Sequence, residues 1–158
     1  MAKQGKGSKN KGAEFERKVA KIFGKHFFQN PKALIRSPRS GGGSWKGDIV
    51  PNPEFPNVKF DFCIECKKQE KWDFTSVFKN FGESLLCKFW IQTLRECPKD
   101  KIPILVFSKN NSPIFVLTKW SMDSSTSSHF YIDCKSYTSY LEESVVITTL
   151  VDFLKEIH

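Results

Sequence analysis

Residues 58–67, VKFDFCIECK, constrain the fold more than any other stretch. Phe60, Phe62, Ile64 and Cys66 fall at every second position, with Asp61, Cys63, Glu65 and Lys67 between them. A period of two is the signature of a strand, with one set of side chains on each face. One face here is strongly apolar, so the placement of the strand against a core is well determined. The other face ends in an acid and a base, Glu65 and Lys67.

The remaining elements surround that strand. A helix is expected over residues 12–28, where Phe15, Val19, Ile22, Phe23 and Phe27 form one apolar stripe. Glu14, Arg17, Lys18, Lys21 and Lys25 mostly occupy other faces, and Glu16 lies at the edge of the stripe. Residues 34–36 read as a short strand, and residues 37–46 as a loop carrying Gly41, Gly42 and Gly43. Asp48-Ile49-Val50 begins or ends another strand, which Pro51 and Pro53 stop. Residues 73–97 are predicted as one long helix, with Asp73 as N-cap and Pro98 as terminator. The apolar runs 104–107 and 114–117 flank the turn-rich Lys109-Asn110-Asn111-Ser112 and predict a hairpin. Residues 121–128 form a polar, Ser-rich loop. A strand at 145–147 precedes a final helix to about Ile157, capped by Thr148 or Thr149. Helix, strands, helix, strands is an α/β or α+β order, with a mixed central β-sheet flanked by helices. The chain divides into a flexible basic arm over residues 1–11 and a single domain over residues 12–158.

Composition narrows the class. A chain of 158 residues fits one domain, and 39% hydrophobic with 14% aromatic residues argues against disorder over most of its length. No apolar run approaches the roughly 18 residues of a membrane span, and the N-terminus shows no apolar signal region. Five scattered Cys fit reduced thiols and an intracellular setting. The net charge is +8. Residues 1–50 hold twelve basic and three acidic side chains, and residues 51–158 hold thirteen and fourteen. The whole surplus therefore sits in the first third, an electrostatic footprint for a polyanion, most often nucleic acid.

Glu65 and Lys67 emerge on one face of their strand. If the strand-like segment at Asp48 pairs with it, Asp48 and Glu65 converge on one ion. Two carboxylates with main-chain and water oxygens suit a hard cation such as Mg²⁺. A neighbouring Lys can orient water or offset charge on a phosphate. This is the equipment of metal-assisted phosphodiester hydrolysis. An Asp followed by Glu-x-Lys is weak by itself, because an ion pair on a solvated edge strand gives the same pattern.

The order of the motifs is more specific. Lys11-Gly12-x-x-x-Glu16-Arg17, Arg36-x-Pro38-x-Ser40-Gly41, Asp48-Ile49 and Ile64-Glu65-x-Lys67 follow one another along the chain. Together they resemble the archaeal Holliday-junction resolvases of the PD-(D/E)xK nuclease superfamily. The resemblance covers residues 11–67 and implies a restriction-endonuclease-like core. It implies that Glu16 helps assemble the metal site, and that Asp48 and Glu65 bind the metal with the Cys66 carbonyl. It gives Lys67 the role of positioning water or stabilising the phosphate, and Ser40 a part in cleavage. Lys11, Arg17, Arg36, Arg39, Lys46 and Lys68 become candidate DNA contacts. The resemblance further implies Mg²⁺ as cofactor, with Mn²⁺ as substitute, and a homodimer that nicks four-way DNA in pairs during recombination and repair. Gly47 stands where the superfamily often has Pro, a structural residue whose absence is expected to cost little.

Two alternatives remain open. One is a restriction-like, nicking or repair endonuclease on the same fold; the other is a non-catalytic DNA-binding subunit. Glu14 also opens the first helix, but only Glu16 matches the motif. Cys63 and Cys66 lie an odd number apart on a strand, so they face opposite sides and do not make a zinc site. Gly41-Gly42-Gly43 has no nucleotide-binding spacing. Trp45 and Trp72 bracket the site, with packing the commoner fate for either. His26, His129 and His158 are isolated. The Phe-rich 74–89 stripe is core or a dimer face. Lys-, Asn- and Phe-rich usage hints at an AT-rich genome, such as that of a virus or phage.

Overall fold

The computed structural model describes residues 6–38, 46–120, 128–133 and 144–157. Helix α1 spans Lys6–Phe28, strand β1 Leu34–Arg36, β2 Ile49–Pro51 and β3 Phe62–Lys68. Helix α2 (Phe74–Lys79), a 3₁₀ turn (Phe81–Glu83) and α3 (Leu85–Glu96) lead to β4 (Ile102–Ser108) and β5 (Phe115–Thr118). Strands β6 (His129–Ile132) and β7 (Val145–Thr149) and helix α4 (Leu150–Glu156) complete the chain.

The central sheet has five strands in the order β3-β4-β5-β7-β6. Strands β3 and β4 run parallel, with Glu65 opposite Leu105, and every other pair is antiparallel. The crossover α2–α3 connects the parallel pair, as parallel pairing requires. Strands β1 and β2 form a separate antiparallel pair, with Ile35 opposite Val50. The mixed α/β architecture with a helix-flanked central sheet is the fold class the sequence implied.

Each face of the sheet has its own core. Ile64, Ile104, Val106, Val116 and Val146 pack with Phe15, Val19 and Phe23 of α1 and Phe153 of α4. Leu105, Phe107, Leu117 and Ile147 pack on the other side with Trp72, Phe81, Leu86 and Trp90. Period-two alternation thus sends successive β4 residues into opposite cores, and Ile104, Leu105, Val106 and Phe107 are all fully buried. Phe60, Phe62, Ile64 and Cys66 share the α1 side, as the alternation predicted.

Three departures have local causes. Helix α1 begins at Lys6 rather than near Gly12, so residues 6–11 join the helix instead of an arm. Lys6, Lys9 and Lys11 favour the extension against the poor formers Gly7, Ser8 and Asn10, and no Pro blocks it. The helix expected over residues 73–97 breaks in two. Asn80 is extended (φ −161°, ψ 95°), and Ser84 restarts the chain by accepting the Cys87 N–H at 3.1 Å. The break lets Phe81 reach the core while Phe78 faces solvent. Strand β6 was not expected. Its Phe130 and Tyr131 are exposed, so it lacks the half-buried alternation that marks a strand in sequence. Of the Ser-rich loop, residues 121–127 lie outside the described residues.

Thr149 caps α4 by accepting the Asp152 N–H at 3.1 Å, one of the two caps expected. Cys63, Cys66, Cys87 and Cys97 are free thiols. Among the described residues no helix is long and apolar enough to cross a membrane.

Candidate active site

Strand β3 is an edge of the central sheet, and its outer side is where the acids meet. Asp48 does not extend a ladder onto β3, as a simple strand pairing would. It is stitched there by two bonds instead. Its N–H donates to the Ile64 carbonyl at 2.7 Å, and its Oδ2 accepts the Cys66 N–H at 2.8 Å. The Asp48 carbonyl accepts the Ser37 N–H at 2.7 Å, tying the same residue to the end of β1. In a strand the N–H and C=O of one residue point to the same side. The Cys66 carbonyl therefore lies on the Asp48 side.

Gly47 makes this approach possible. Its φ is +87°, and a Cβ there would stand 3.0 Å from the Ile64 carbonyl oxygen and 3.3 Å from Cys63 Sγ. Proline, locked near φ −65°, has no access to this conformation. Gly47 is therefore not a costless replacement for Pro in this chain; it sets the direction from which Asp48 meets β3.

Glu65 projects from β3 and is 8% exposed. Its Oε1 accepts from Lys67 Nζ at 2.9 Å, so the expected same-face pair is formed. Lys67 also lies over the Phe89 ring of α3, 5.5 Å from its centroid. Glu16 reaches the group from α1 and is 4% exposed, whereas Glu14 on the same helix faces solvent. Arg36, at the end of β1, donates from Nε to Glu16 Oε2.

The electrostatics follow from crowding acids in a partly dry place. Burial pushes the Asp48 carboxyl up to about 7 from 3.8, with the Glu65 charge second and Glu16 a lesser contributor. The Cys66 N–H and Lys67 pull the other way. The Cys66 thiol is raised too, by burial first and then by Asp48, Glu16 and Glu65. Three carboxylates from α1, the residue before β2 and β3 thus share one neighbourhood.

Among the described residues no three His, Cys, Asp or Glu side chains already stand close enough to hold a metal by themselves. The donor chemistry nonetheless fits a hard divalent cation, which commonly takes one or two protein carboxylates and fills its shell with other oxygens. Asp48, Glu65 and the Cys66 carbonyl are such a set.

The other sequence candidates scatter. Lys11 and Arg17 are exposed on α1, and Lys46 is exposed beside Gly47. Lys68 turns inward: Nζ donates to the Lys109 carbonyl at 2.8 Å and sits over the Phe15 ring. Arg39, Ser40 and Trp45 lie outside the described residues. Trp72 is buried and donates to the Ser108 carbonyl, so it packs. His26 meets the Ile157 carbonyl at 2.8 Å, a structural contact. Sequence reasoning missed the role of Gly47 and the Arg36–Glu16 pair. A glycine directly before the acid was the available signal for the first.

Comparison with known proteins adds a family. A family model described as "Phage putative PDDEXK endonuclease" matches residues 7–158, nearly the whole chain. No curated protein matches the chain, and no solved structure does. With the family model spanning both the acid pocket and the full α/β core, the chain belongs to this phage family of PD-(D/E)xK endonucleases, DNA-cutting enzymes that generally depend on a divalent metal.

Proposed function

We propose that this endonuclease acts on branched DNA, cutting four-way junctions by paired nicks as a Mg²⁺-dependent homodimer. The observation that carries the reading is the meeting of Glu16, Asp48, Glu65 and Lys67 at the β3 edge, from the same motif blocks and in the same chain order that resemble the junction resolvases. Asp48, Glu65 and the Cys66 carbonyl would hold the cation, and Mn²⁺ would serve in its place. A divalent cation there supplies Lewis acidity at the scissile phosphate.

The chain's own residues do the rest. Lys67, held by Glu65, presents an ammonium where it can orient a water and offset charge developing on the phosphate. Arg36 neutralises Glu16, which lets a third carboxylate stay close to two others. The Phe89 ring and the α1 core fix the β3 side chains and limit water around them. Lys11, Arg17, Arg36 and Lys46 are the described cations proposed to meet the DNA backbone, with Arg39 and Ser40 from the adjoining loop. Each protomer would nick one strand, so two copies give the paired cuts.

The test is a substrate panel in Mg²⁺: a labelled immobile four-way junction, linear duplex, single strand and a flap. The reading expects symmetric nicks near the branch point, with a dimer mass by light scattering. Cutting of linear duplex at a fixed sequence, with the junction left intact, would overturn it in favour of a restriction-like enzyme.

A further inference from the structure

Helix α1 has two chemically different faces. Glu16 and the apolar stripe turn inward, while Lys11, Arg17, Lys18, Lys21 and Lys25 are all exposed, with Glu14 the one acid among them. At about 100° per residue, the five cations fall within an arc of about 120°, centred about 160° from Glu16. The cationic row is therefore on the far side of α1 from the acid pocket.

These cations are also unlike the paired ones. Arg36, Lys67, Arg95 and Lys155 have carboxylate partners, whereas among the described residues none of the five on α1 forms an ion pair. Arg17 and Lys21, and again Lys21 and Lys25, are like charges four apart, an arrangement that destabilises a helix. A polyanion laid along the face removes that repulsion. The row rises about 21 Å from Lys11 to Lys25, the length of about six base-pair steps. Duplex DNA is straight over such a distance, as a helix is.

We propose that the outer face of α1 is a docking surface for duplex DNA, separate from the acid pocket. The proposal rests on the reading of the protein as a DNA-cutting enzyme and names where that enzyme holds its substrate. Because the face points away from Asp48, DNA gripped there is held at a distance from the reacting phosphate. The face contributes to binding and leaves the cutting step alone.

The experiment compares two triple variants of the full chain. One is Lys18→Ala, Lys21→Ala, Lys25→Ala. The other, with the same change in net charge, is Lys79→Ala, Lys88→Ala, Lys99→Ala, three lysines exposed elsewhere. Alanine suits exposed helix positions, so folding should survive; a Lys→Arg triple on α1 provides a charge-conserving control. Binding of a labelled duplex and a single strand of equal length is measured in EDTA across a salt series, where no cutting intervenes. The α1 triple should weaken duplex binding about tenfold or more and flatten the salt slope by about 2 to 3. The control triple should change it much less, and the Lys→Arg triple should restore it. Single-turnover cutting at saturating α1 triple should match wild type. Equal losses in the two Ala triples, or an equal loss on single strand, would overturn the proposal. Wild-type protein that cuts nothing would instead sink the enzyme reading, and the binding series would still judge the face.

Discussion

Asp48 carries an electrostatic cost that defines the site. Its carboxyl is raised from 3.8 to about 7, so the metal-free folded protein keeps a proton that the unfolded chain releases. Stability from this group is therefore complete below about pH 4 and is lost as pH rises to about 7. Asp48→Asn removes the cost, because the amide oxygen can still accept the Cys66 N–H. In EDTA at pH 8 the variant should gain on the order of 2–4 kcal/mol over wild type. Urea melts at several pH values check this, and an equal or lower stability for the variant at pH 8 would contradict it. Gly47 is the other decisive position. Gly47→Ala forces a side chain into a left-handed backbone against Ile64, at about 1–3 kcal/mol. The shift falls directly on Asp48, so DNA cleavage assayed in Mg²⁺ should drop further than folding stability alone explains. The motif chose Glu16 over Glu14, and of the two it is Glu16 that is buried and Glu14 that faces solvent. The positive φ of Gly47 was not, because a glycine in sequence carries no sign of its backbone angle.

Among the elements, the α2–α3 break shows where pattern reading fails. The apolar residues of 73–97 keep a helical period across Asn80, so periodicity alone runs through the break. The side-chain bonds decide otherwise. Ser84 is 3% exposed, accepts from Cys87 N and donates from Oγ to the Phe81 carbonyl at 2.7 Å. Ser84→Ala leaves the buried Cys87 N–H without its acceptor, while the Phe81 carbonyl keeps the backbone N–H of residue 84, and should cost about 1–2 kcal/mol by chemical denaturation. The specific activity of the folded fraction should stay at the wild-type level, since Ser84 lies before α3 and it is Phe89, further along that helix, that packs under Lys67. Strand β3 was the opposite case. Its alternation was legible because each face has a distinct task, a core below Ile64 and a charged pair at Glu65 and Lys67. The stitching of Asp48 to its edge was not, because two isolated bonds leave no repeating pattern in the sequence.

For the whole molecule, the charge asymmetry and the acid pocket belong to one design. The first third supplies the cations, α1 carries them outward, and the same helix turns Glu16 inward. The central claim is that the carboxylates at the β3 edge form the metal-dependent nuclease centre. The most direct measurement is cleavage of labelled branched and linear DNA in Mg²⁺ by wild type and Glu65→Ala, at protein concentrations that saturate binding for both. The account predicts that the variant binds as tightly as wild type and cuts at least about a hundredfold more slowly, with EDTA abolishing the wild-type reaction. Undiminished cutting by Glu65→Ala would place the chemistry elsewhere and contradict it.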